Sequence, residues 1–419
     1  MHLRHFLMAA GAAALLAGQA WAQQDQQQGQ QPEAQQQQQD QPIDVKIGVM
    51  NDRSGTYADL SGEGSVVAAR MAVEDFGAEE KGINVEIVSA DHQNKPDVGS
   101  SVARQWYDEE GVDVIVDVPT SSVALAINEL TREKDKIFLV SGAAASDLTG
   151  AQCSPNTIHW TYDTWSLAHG TGQAMVQEGG DSWFFLTADY AFGHALERDT
   201  AAVVEENGGE VLGAVRHPVP GQDFSSFLLQ AQSSGANVIG LANAGADTTN
   251  SIKQAAEFGI TQAGQSLAAL LIFITDVHSL GLETARGLVL TEAFYWDLDG
   301  ETREWSERFA ENHNGSMPTM VHAGVYSAVT HYLKAVEELG SEEDSKAVVE
   351  KMKEMPTDDP LFGQGEVRQD GRKIHDMYLF EVKSPEESSG EWDLYKLRRT
   401  IPAAEAFRPL EEGGCALVN

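Results

Sequence analysis

Basic residues and long apolar stretches are both scarce in this sequence. The 28 lysines and arginines are outnumbered by 64 aspartates and glutamates, which gives a formal net charge of −36. Nucleic-acid binding depends on basic side chains that neutralise phosphates, so this balance argues strongly against it, and an anionic membrane surface would repel the chain. No stretch approaches the roughly 18 uninterrupted apolar residues that a membrane-spanning helix needs.

Familiar enzyme and metal-site signatures are also missing. The sequence contains no G-x-x-x-x-G-K-[ST] phosphate loop, no H-E-x-x-H, no G-x-S-x-G and no C-x-x-C. The 12 histidines are scattered, and His331 and His375 are interpreted as ordinary core or surface residues rather than metal ligands. We therefore predict a protein that is not an enzyme and that needs neither a metal nor a cofactor.

The first 42 residues predict export. Arg4 and a short apolar run, Phe6 to Ala17, precede Ala20-Trp21-Ala22, the pattern of a secretory signal peptide cleaved after Ala22. The Gln-rich segment that follows, residues 23–42, lacks the apolar side chains that would offset the entropy of ordering it. We predict residues 1–22 as a signal peptide, residues 23–42 as a disordered linker, and export of the mature chain.

Only two cysteines are present, Cys153 and Cys415. An even number of cysteines in an exported chain is most simply explained by one disulfide. Such a bond would tie the C-terminal tail back to a loop in the middle of the chain. Two free thiols are the alternative.

From Ile43 onward, short apolar runs alternate with longer amphipathic ones. In the first part of the chain this pattern predicts strands at residues 43–50, 85–89, 112–118 and 137–140, separated by helices at residues 64–76, 98–107 and 124–132. Repeated strand–helix units of this kind are typical of a doubly wound α/β domain.

The same pattern starts again after the loop that contains Cys153. It predicts strands at residues 182–187, 211–215, 237–241 and 269–274, separated by helices at residues 195–206, 225–232 and 248–258. Two later helices, at residues 303–313 and 323–339, have no strand between them and are predicted to pack on the first lobe. The predicted lobes are residues 43–160 with about 295–358, and residues 161–294 with about 359–419.

Two α/β lobes imply a ligand cleft, because such sheets bind ligands outside the carboxyl ends of their strands. In the first lobe, Pro119 is followed by three hydroxyl residues, Thr120, Ser121 and Ser122, at the predicted start of a helix. Free N–H groups and the positive end of the helix dipole suit this position to a carboxylate, although plain N-capping is the alternative. The small residues of the loop at 141–147 would let the backbone approach a ligand.

The second lobe offers acidic and aromatic candidates. Asp276 is predicted to follow an apolar strand directly, where it could pair with a ligand ammonium group. Asp247 is a second acidic candidate, although its place just before a predicted helix at Thr248 favours an N-cap. The aromatic candidates for apolar walls are Trp160, Tyr162, Tyr190 and Phe192, with core packing as the commoner use of such side chains.

The chain resembles the periplasmic solute-binding proteins of ABC transporters, of the leucine/isoleucine/valine-binding type. The resemblance runs from the loop Asn51 to Tyr57 through DVPTSS, SGAAASDL, DYAFG and NAGADTTNSIKQAAEFG to the late helix AGVYSAV. It implies two α/β lobes joined by three crossover strands that close on a ligand by a hinge motion. It also implies a monomer that works with an ABC permease and its ATPase.

The resemblance carries over to individual positions. The family's carboxylate-binding serine falls on Thr120, and its second loop falls on Ala143 and Ala144, where alanine replaces a threonine. The ammonium-binding acid falls on Asp276, which is one methylene shorter than the family's glutamate. A tyrosine that usually lines the second lobe near residues 245–246 is missing.

These departures leave the ligand open. A branched-chain or other apolar amino acid is the first interpretation, because Asp276 supplies an ammonium partner. An aromatic or aliphatic carboxylate without an amine is the alternative, since a threonine and a tyrosine are lost and aromatic residues lie nearby. A periplasmic ligand sensor is a further alternative, whereas an exported hydrolase lacks a recognisable pairing of nucleophile and base.

Overall fold

A computed structural model of the protein describes residues 42–418, and from Asp44 onward they pack as one unit. The predicted signal peptide and nearly all of the Gln-rich linker lie outside the described residues. None of the helices in the described part of the chain is long and apolar enough to cross a membrane.

The strands are named in chain order. They are β1 (Ile43–Asn51), β2 (Ile83–Asp91), β3 (Val114–Asp117), β4 (Ile137–Val140), β5 (Thr157–His159), β6 (Ser182–Ala188), β7 (Glu210–His217), β8 (Val238–Ala242), β9 (Ser266–Ala269), β10 (Val289–Glu292), β11 (Thr357–Asp359), β12 (Gly363–Val367), β13 (Lys373–Ile374), β14 (Met377–Val382) and β15 (Tyr395–Ile401).

The α-helices are named in the same way. They are α1 (Gly62–Phe76), α2 (Pro96–Gln105), α3 (Ser121–Lys134), α4 (Thr164–Leu167), α5 (Gln173–Gln177), α6 (Ala191–Glu206), α7 (Ser225–Ser233), α8 (Ala246–Glu257), α9 (Ile274–Leu280), α10 (Leu282–Ala285), α11 (Gly300–Asn312), α12 (Met320–Leu339), α13 (Ser345–Glu354) and α14 (Ala403–Ala406).

Each lobe is built on a parallel sheet. The first sheet has the strand order β2-β1-β3-β4-β5, and β1, β3, β4 and β5 pair in parallel. The second has the order β7-β6-β8-β9, again with parallel pairs. Every residue of β3 and β4 is buried, as expected for strands covered by helices on both faces. The predicted α/β class is confirmed.

The strand predicted at residues 269–274 is wrong. Strand β9 ends at Ala269, and helix α9 begins at Ile274. The apolar run between them, from Leu270 to Phe273, is buried without joining the sheet. A short, continuous apolar run has no periodicity that would distinguish a buried strand from a buried connection. The strand prediction failed here for this reason.

The strands outside the two parallel sheets form two smaller antiparallel sheets, β10-β14-β15 and β11-β12-β13. Strands β10, β14 and β15 form an antiparallel sheet whose apolar side chains share a core with those of β6 and β8. The lobe boundaries as a whole stay a prediction.

Two further features tie distant parts of the chain together. Helix α12 packs along α1, so the predicted return of the late helices to the first lobe is observed. Cys153 and Cys415 form a disulfide, with their Cα atoms 5.6 Å apart. This bond holds the C-terminal tail against the segment that follows the loop at 141–147.

Candidate ligand-binding site

A small pocket with a cavity volume of about 10 Å³ lies where loops of the two lobes meet. None of its eleven lining residues carries a charged side chain. They are Tyr57, Leu60, Pro119, Gly142, Ala144, Tyr162, Tyr190, Phe192, Ala244, Leu271 and Phe273. The pocket is therefore apolar and largely aromatic, with hydroxyl and backbone groups as its polar features.

The turn between β3 and α3 brings Pro119 to the pocket through a strained backbone. Asp117 and Val118 have φ angles of 81° and 56°, a region that residues other than glycine seldom adopt, above all β-branched ones. Gly142 packs against this turn, and a Cβ there would lie 2.7 Å from Pro119 Cα and from Asp117 Oδ1. Burial raises the pKa of Asp117 to about 6. The loop predicted to hold a carboxylate and the loop predicted to approach the ligand through its backbone are thus in direct contact.

The three hydroxyl residues play different parts. Thr120 is the N-cap residue of α3, but its side chain does not cap the helix and donates its proton to Asn94 Oδ1 instead. Ser121 is fully buried, and its Oγ accepts hydrogen bonds from the backbone N–H groups of Ala144 (3.3 Å) and Ala145 (3.2 Å). Ser122 is half-buried. None of the three lines the pocket.

The second loop contributes one of its two predicted residues. Ala144 lines the pocket, whereas Ala143 is fully buried beside it, and its carbonyl oxygen accepts a hydrogen bond from His159 Nε2 at 2.7 Å. Tyr162 lines the pocket as well and donates its hydroxyl proton to the carbonyl oxygen of Gly142 at 2.6 Å.

Two tyrosines close the pocket from opposite lobes. The hydroxyl groups of Tyr57 and Tyr190 are 2.6 Å apart. Burial raises the pKa of both side chains, so both stay protonated across the ordinary pH range. Sequence reasoning proposed Tyr190 and missed Tyr57, although Tyr57 ends a loop that follows a predicted strand, which was the available signal.

A backbone contact accompanies this pair. The N–H of Ala246, the first residue of α8, donates to the carbonyl oxygen of Thr56 at 3.3 Å. The preceding Gly245 has a φ of 57°, and a Cβ there would lie 2.4 Å from the same oxygen. The lobes are therefore in contact over the pocket, and glycine is required at the point of contact.

Asp276 lies in the first turn of α9 rather than at a strand end. It is 7% exposed, and its Oδ2 accepts a hydrogen bond from the backbone N–H of Phe273 at 3.0 Å. Burial raises its pKa to about 7. Phe273 lines the pocket and Asp276 does not, so the apolar ring stands where an ammonium partner was expected.

Asp247 is the second residue of α8, whose N-cap is Gly245. The prediction that Asp247 caps this helix is wrong, because the helix begins two residues earlier than expected. Its Oδ1 accepts a hydrogen bond from the backbone N–H of Gly221 at 2.8 Å, and burial raises its pKa to about 7. It is 1% exposed and does not line the pocket.

Among the aromatic candidates, Tyr162, Tyr190 and Phe192 line the pocket. Trp160 is a core residue whose indole N–H donates to Ser327 Oγ at 2.8 Å. Sequence reasoning missed Leu271 and Phe273 because the segment that carries them was taken for a strand.

Comparison with known proteins agrees with this architecture. A family model for the periplasmic binding proteins matches residues 44–390. A periplasmic binding protein from Burkholderia mallei has 53% sequence identity and a TM-score of 0.87, covering 90% of this chain and 100% of that chain. A branched chain amino acid ABC transporter periplasmic ligand-binding protein from Burkholderia xenovorans LB400 has 40% identity and a TM-score of 0.79, with the same coverage.

A sequence relative gives the same result. The Leu/Ile/Val-binding protein homolog 6 of Brucella melitensis is 25% identical over 357 residues, which is 82% of this chain and 89% of that protein. The region matched by the family model, residues 44–390, includes every residue that lines the pocket and, apart from Ile43, all strands of both parallel sheets. The chain belongs to the periplasmic binding protein family, whose members are substrate-binding components of ABC transporters.

Proposed function

We propose that this protein captures a small apolar carboxylate without an amine, aromatic or aliphatic, in the periplasm and delivers it to an ABC permease and its ATPase. The observation that carries the choice of ligand is the uncharged lining of the pocket, together with the engagement of Asp276 by Phe273 N–H. Burying an ammonium group without a partner costs several kcal/mol, roughly, which an amine-free ligand avoids.

The walls of the pocket support an apolar ligand. Five of the eleven lining residues are tyrosine or phenylalanine, and flat rings of this kind pack well against another ring or a branched aliphatic chain.

The pocket offers a favourable helix end and a hydroxyl donor to the carboxylate end of the ligand. Pro119, which lines the pocket, directly precedes Thr120, the N-cap residue of α3, where the helix dipole favours negative charge. In the Tyr57–Tyr190 pair one of the two hydroxyl protons is used between the rings, which leaves the other for a ligand.

A branched-chain amino acid is the second candidate. It is supported by the name of the relative with 40% identity and by the position of Asp276 three residues from Phe273. To pair with an ammonium group, Asp276 would have to lose its proton at neutral pH and turn a carboxylate oxygen toward the pocket, which it does not line.

Matched ligands test the proposal. Calorimetric titration would compare leucine with 4-methylpentanoate, and phenylalanine with 3-phenylpropanoate, since each pair differs only in the α-amine. Benzoate serves as a smaller aromatic acid. Tighter binding of the amine-free member is expected, and tighter binding of leucine or phenylalanine would transfer the assignment to amino acids.

Sequencing the N-terminus of the exported protein tests the predicted cleavage after Ala22. The expected first residue is Gln23.

A further inference from the structure

A buried carboxylate organises the loop that carries Tyr57. Asp52 follows β1 directly, is 0% exposed and forms no ion pair with the described residues. Its oxygens accept hydrogen bonds from the backbone N–H groups of Ser54 (3.2 Å), Gly55 (2.7 Å) and Tyr57 (2.8 Å). Three hydrogen bonds from the backbone to one side chain fix the shape of the loop from 53 to 57.

Asn94 connects this loop to the start of α3. Its Nδ2 donates to Asp52 Oδ2 at 2.6 Å, and its Oδ1 accepts the hydroxyl proton of Thr120. The orientation of the amide follows from chemistry, because a carboxylate cannot donate and must face the amide nitrogen. Thr120 has one proton and gives it to Asn94. It therefore supports the loop and donates nothing to a ligand.

The far end of the same loop meets the second lobe. The carbonyl oxygen of Thr56 accepts the N–H of Ala246, and the Tyr57 hydroxyl meets that of Tyr190. Gly245 leaves the space into which Thr56 fits. The shape that Asp52 imposes on the loop is thus the shape that fits the second lobe in the closed cleft.

We propose that Asp52 and Asn94 are positioning residues for ligand capture, which hold the loop from Ser54 to Tyr57 in the conformation that docks on Ala246 and Tyr190. The proposal rests on the proposed function, because docking of this loop on the second lobe is measured through the release of a bound ligand. Loosening the loop removes contacts made only in the closed state, so the release rate rises while the association rate changes little.

Backbone amide exchange in the ligand-free protein tests the first step. Ser54 and Gly55 are exposed, so their amides are protected only by the bond to Asp52. In Asp52→Asn, the introduced amide NH2 group would face two hydrogen-bond donors and could accept neither. In Asn94→Gly, the side chain that bridges Asp52 and Thr120 is removed, and glycine tolerates the φ of 57° at this position. Faster exchange at Gly55 and Tyr57 is expected in Asp52→Asn, with wild-type exchange in Glu74→Gln, which removes an exposed charge on α1 that forms no ion pair with the loop. Unchanged exchange in Asp52→Asn would overturn the proposal.

Release kinetics test the second step, with benzoate and 4-methylpentanoate as probes. Asp52→Asn is expected to lower affinity roughly tenfold to a hundredfold, mainly through faster release. Thr120→Val should release either probe several-fold faster, and Thr120→Ser, which keeps the hydroxyl, should restore wild-type release. Wild-type release from Asp52→Asn, or equal effects of valine and serine at position 120, would overturn the positioning role. Wild-type protein that binds neither probe would refute the proposed ligand class, while amide exchange still decides whether Asp52 holds the loop.

Discussion

The hydroxyl groups of Tyr57 and Tyr190 meet at 2.6 Å although the two residues are 133 positions apart in the chain. One comes from the loop after β1 in the first lobe, and the other immediately precedes α6 in the second. Both rings line the pocket, so the bond between them spans the cleft at the proposed ligand site. Any ligand held there is enclosed by this pair.

Removing the two hydroxyls singly and together should show a non-additive effect. Tyr57→Phe or Tyr190→Phe leaves the partner hydroxyl buried without its bond, which costs about 1–3 kcal/mol in the closed state. Tyr57→Phe combined with Tyr190→Phe leaves neither hydroxyl unpaired. We expect the double variant to bind benzoate more tightly than the sum of the two single losses implies, as measured by a calorimetric double-mutant cycle. Strictly additive losses would show that the hydroxyls act independently on the ligand.

Asp276→Asn separates the two candidate ligand classes. The amide oxygen of the introduced asparagine can still accept the N–H of Phe273, so the local fold should persist. If the bound solute has no amine, affinity for 4-methylpentanoate should change by less than about threefold, well under 1 kcal/mol. A large loss for leucine combined with no loss for 4-methylpentanoate would show that the carboxylate turns toward an ammonium group when one is present. Circular dichroism and thermal unfolding of the variant control for a change in folding.

The sequence predicted the α/β class and most helices and strands because the apolar periodicity of β1, β3, β4 and β6 is strong. It also found loops that reach the pocket, since Pro119, Ala144 and Tyr190 follow strand ends on the expected edge of each sheet. What it could not give is the direction of a side chain within a loop. Thr120 looked like a ligand donor, and only its contact with Asn94 shows that its proton is used inside the protein.

The second lobe shows a different failure. The run from Leu270 to Phe273 is as apolar as a buried strand, and the strand assignment placed Asp276 in a loop at the cleft. In the structure the run is a buried connection, Phe273 faces the pocket and Asp276 faces back to the helix that begins there. Local composition could not distinguish these two outcomes, because both bury the same side chains.

Loss of the disulfide should lower stability. Replacing both Cys153 and Cys415 by serine releases a link between positions 262 residues apart, and such losses typically cost about 2–5 kcal/mol. We expect a lower melting temperature in the double variant and in the reduced wild-type protein, measured by calorimetry. Arg408 in the tail still donates to the carbonyl oxygen of Ser146 at 3.0 Å, so native secondary structure should remain. A reducing agent that lowers the melting temperature of the double variant would point to an effect other than the disulfide.

The stability of the second lobe should depend on pH through Asp247. Burial raises its pKa in the folded protein to about 7, above the value of about 3.9 expected for the unfolded chain. Between about pH 4 and pH 7 the folded state therefore holds a proton that the unfolded state has released. The contribution of this proton to the free energy of unfolding is fully present below about pH 4 and is lost as the pH rises through 7.

The variant Asp247→Asn removes this titration and keeps an acceptor for Gly221 N–H. Denaturant unfolding at pH 5 and pH 8 should show a smaller loss of stability on raising the pH in the variant than in the wild type. Asp223→Asn serves as the control, since the pKa of this exposed carboxylate is lowered by its bonds to Ser225, and its replacement should leave the change between pH 5 and pH 8 as in the wild type. An equal loss in Asp247→Asn and wild type would show that Asp247 is already ionised in the folded protein at pH 5.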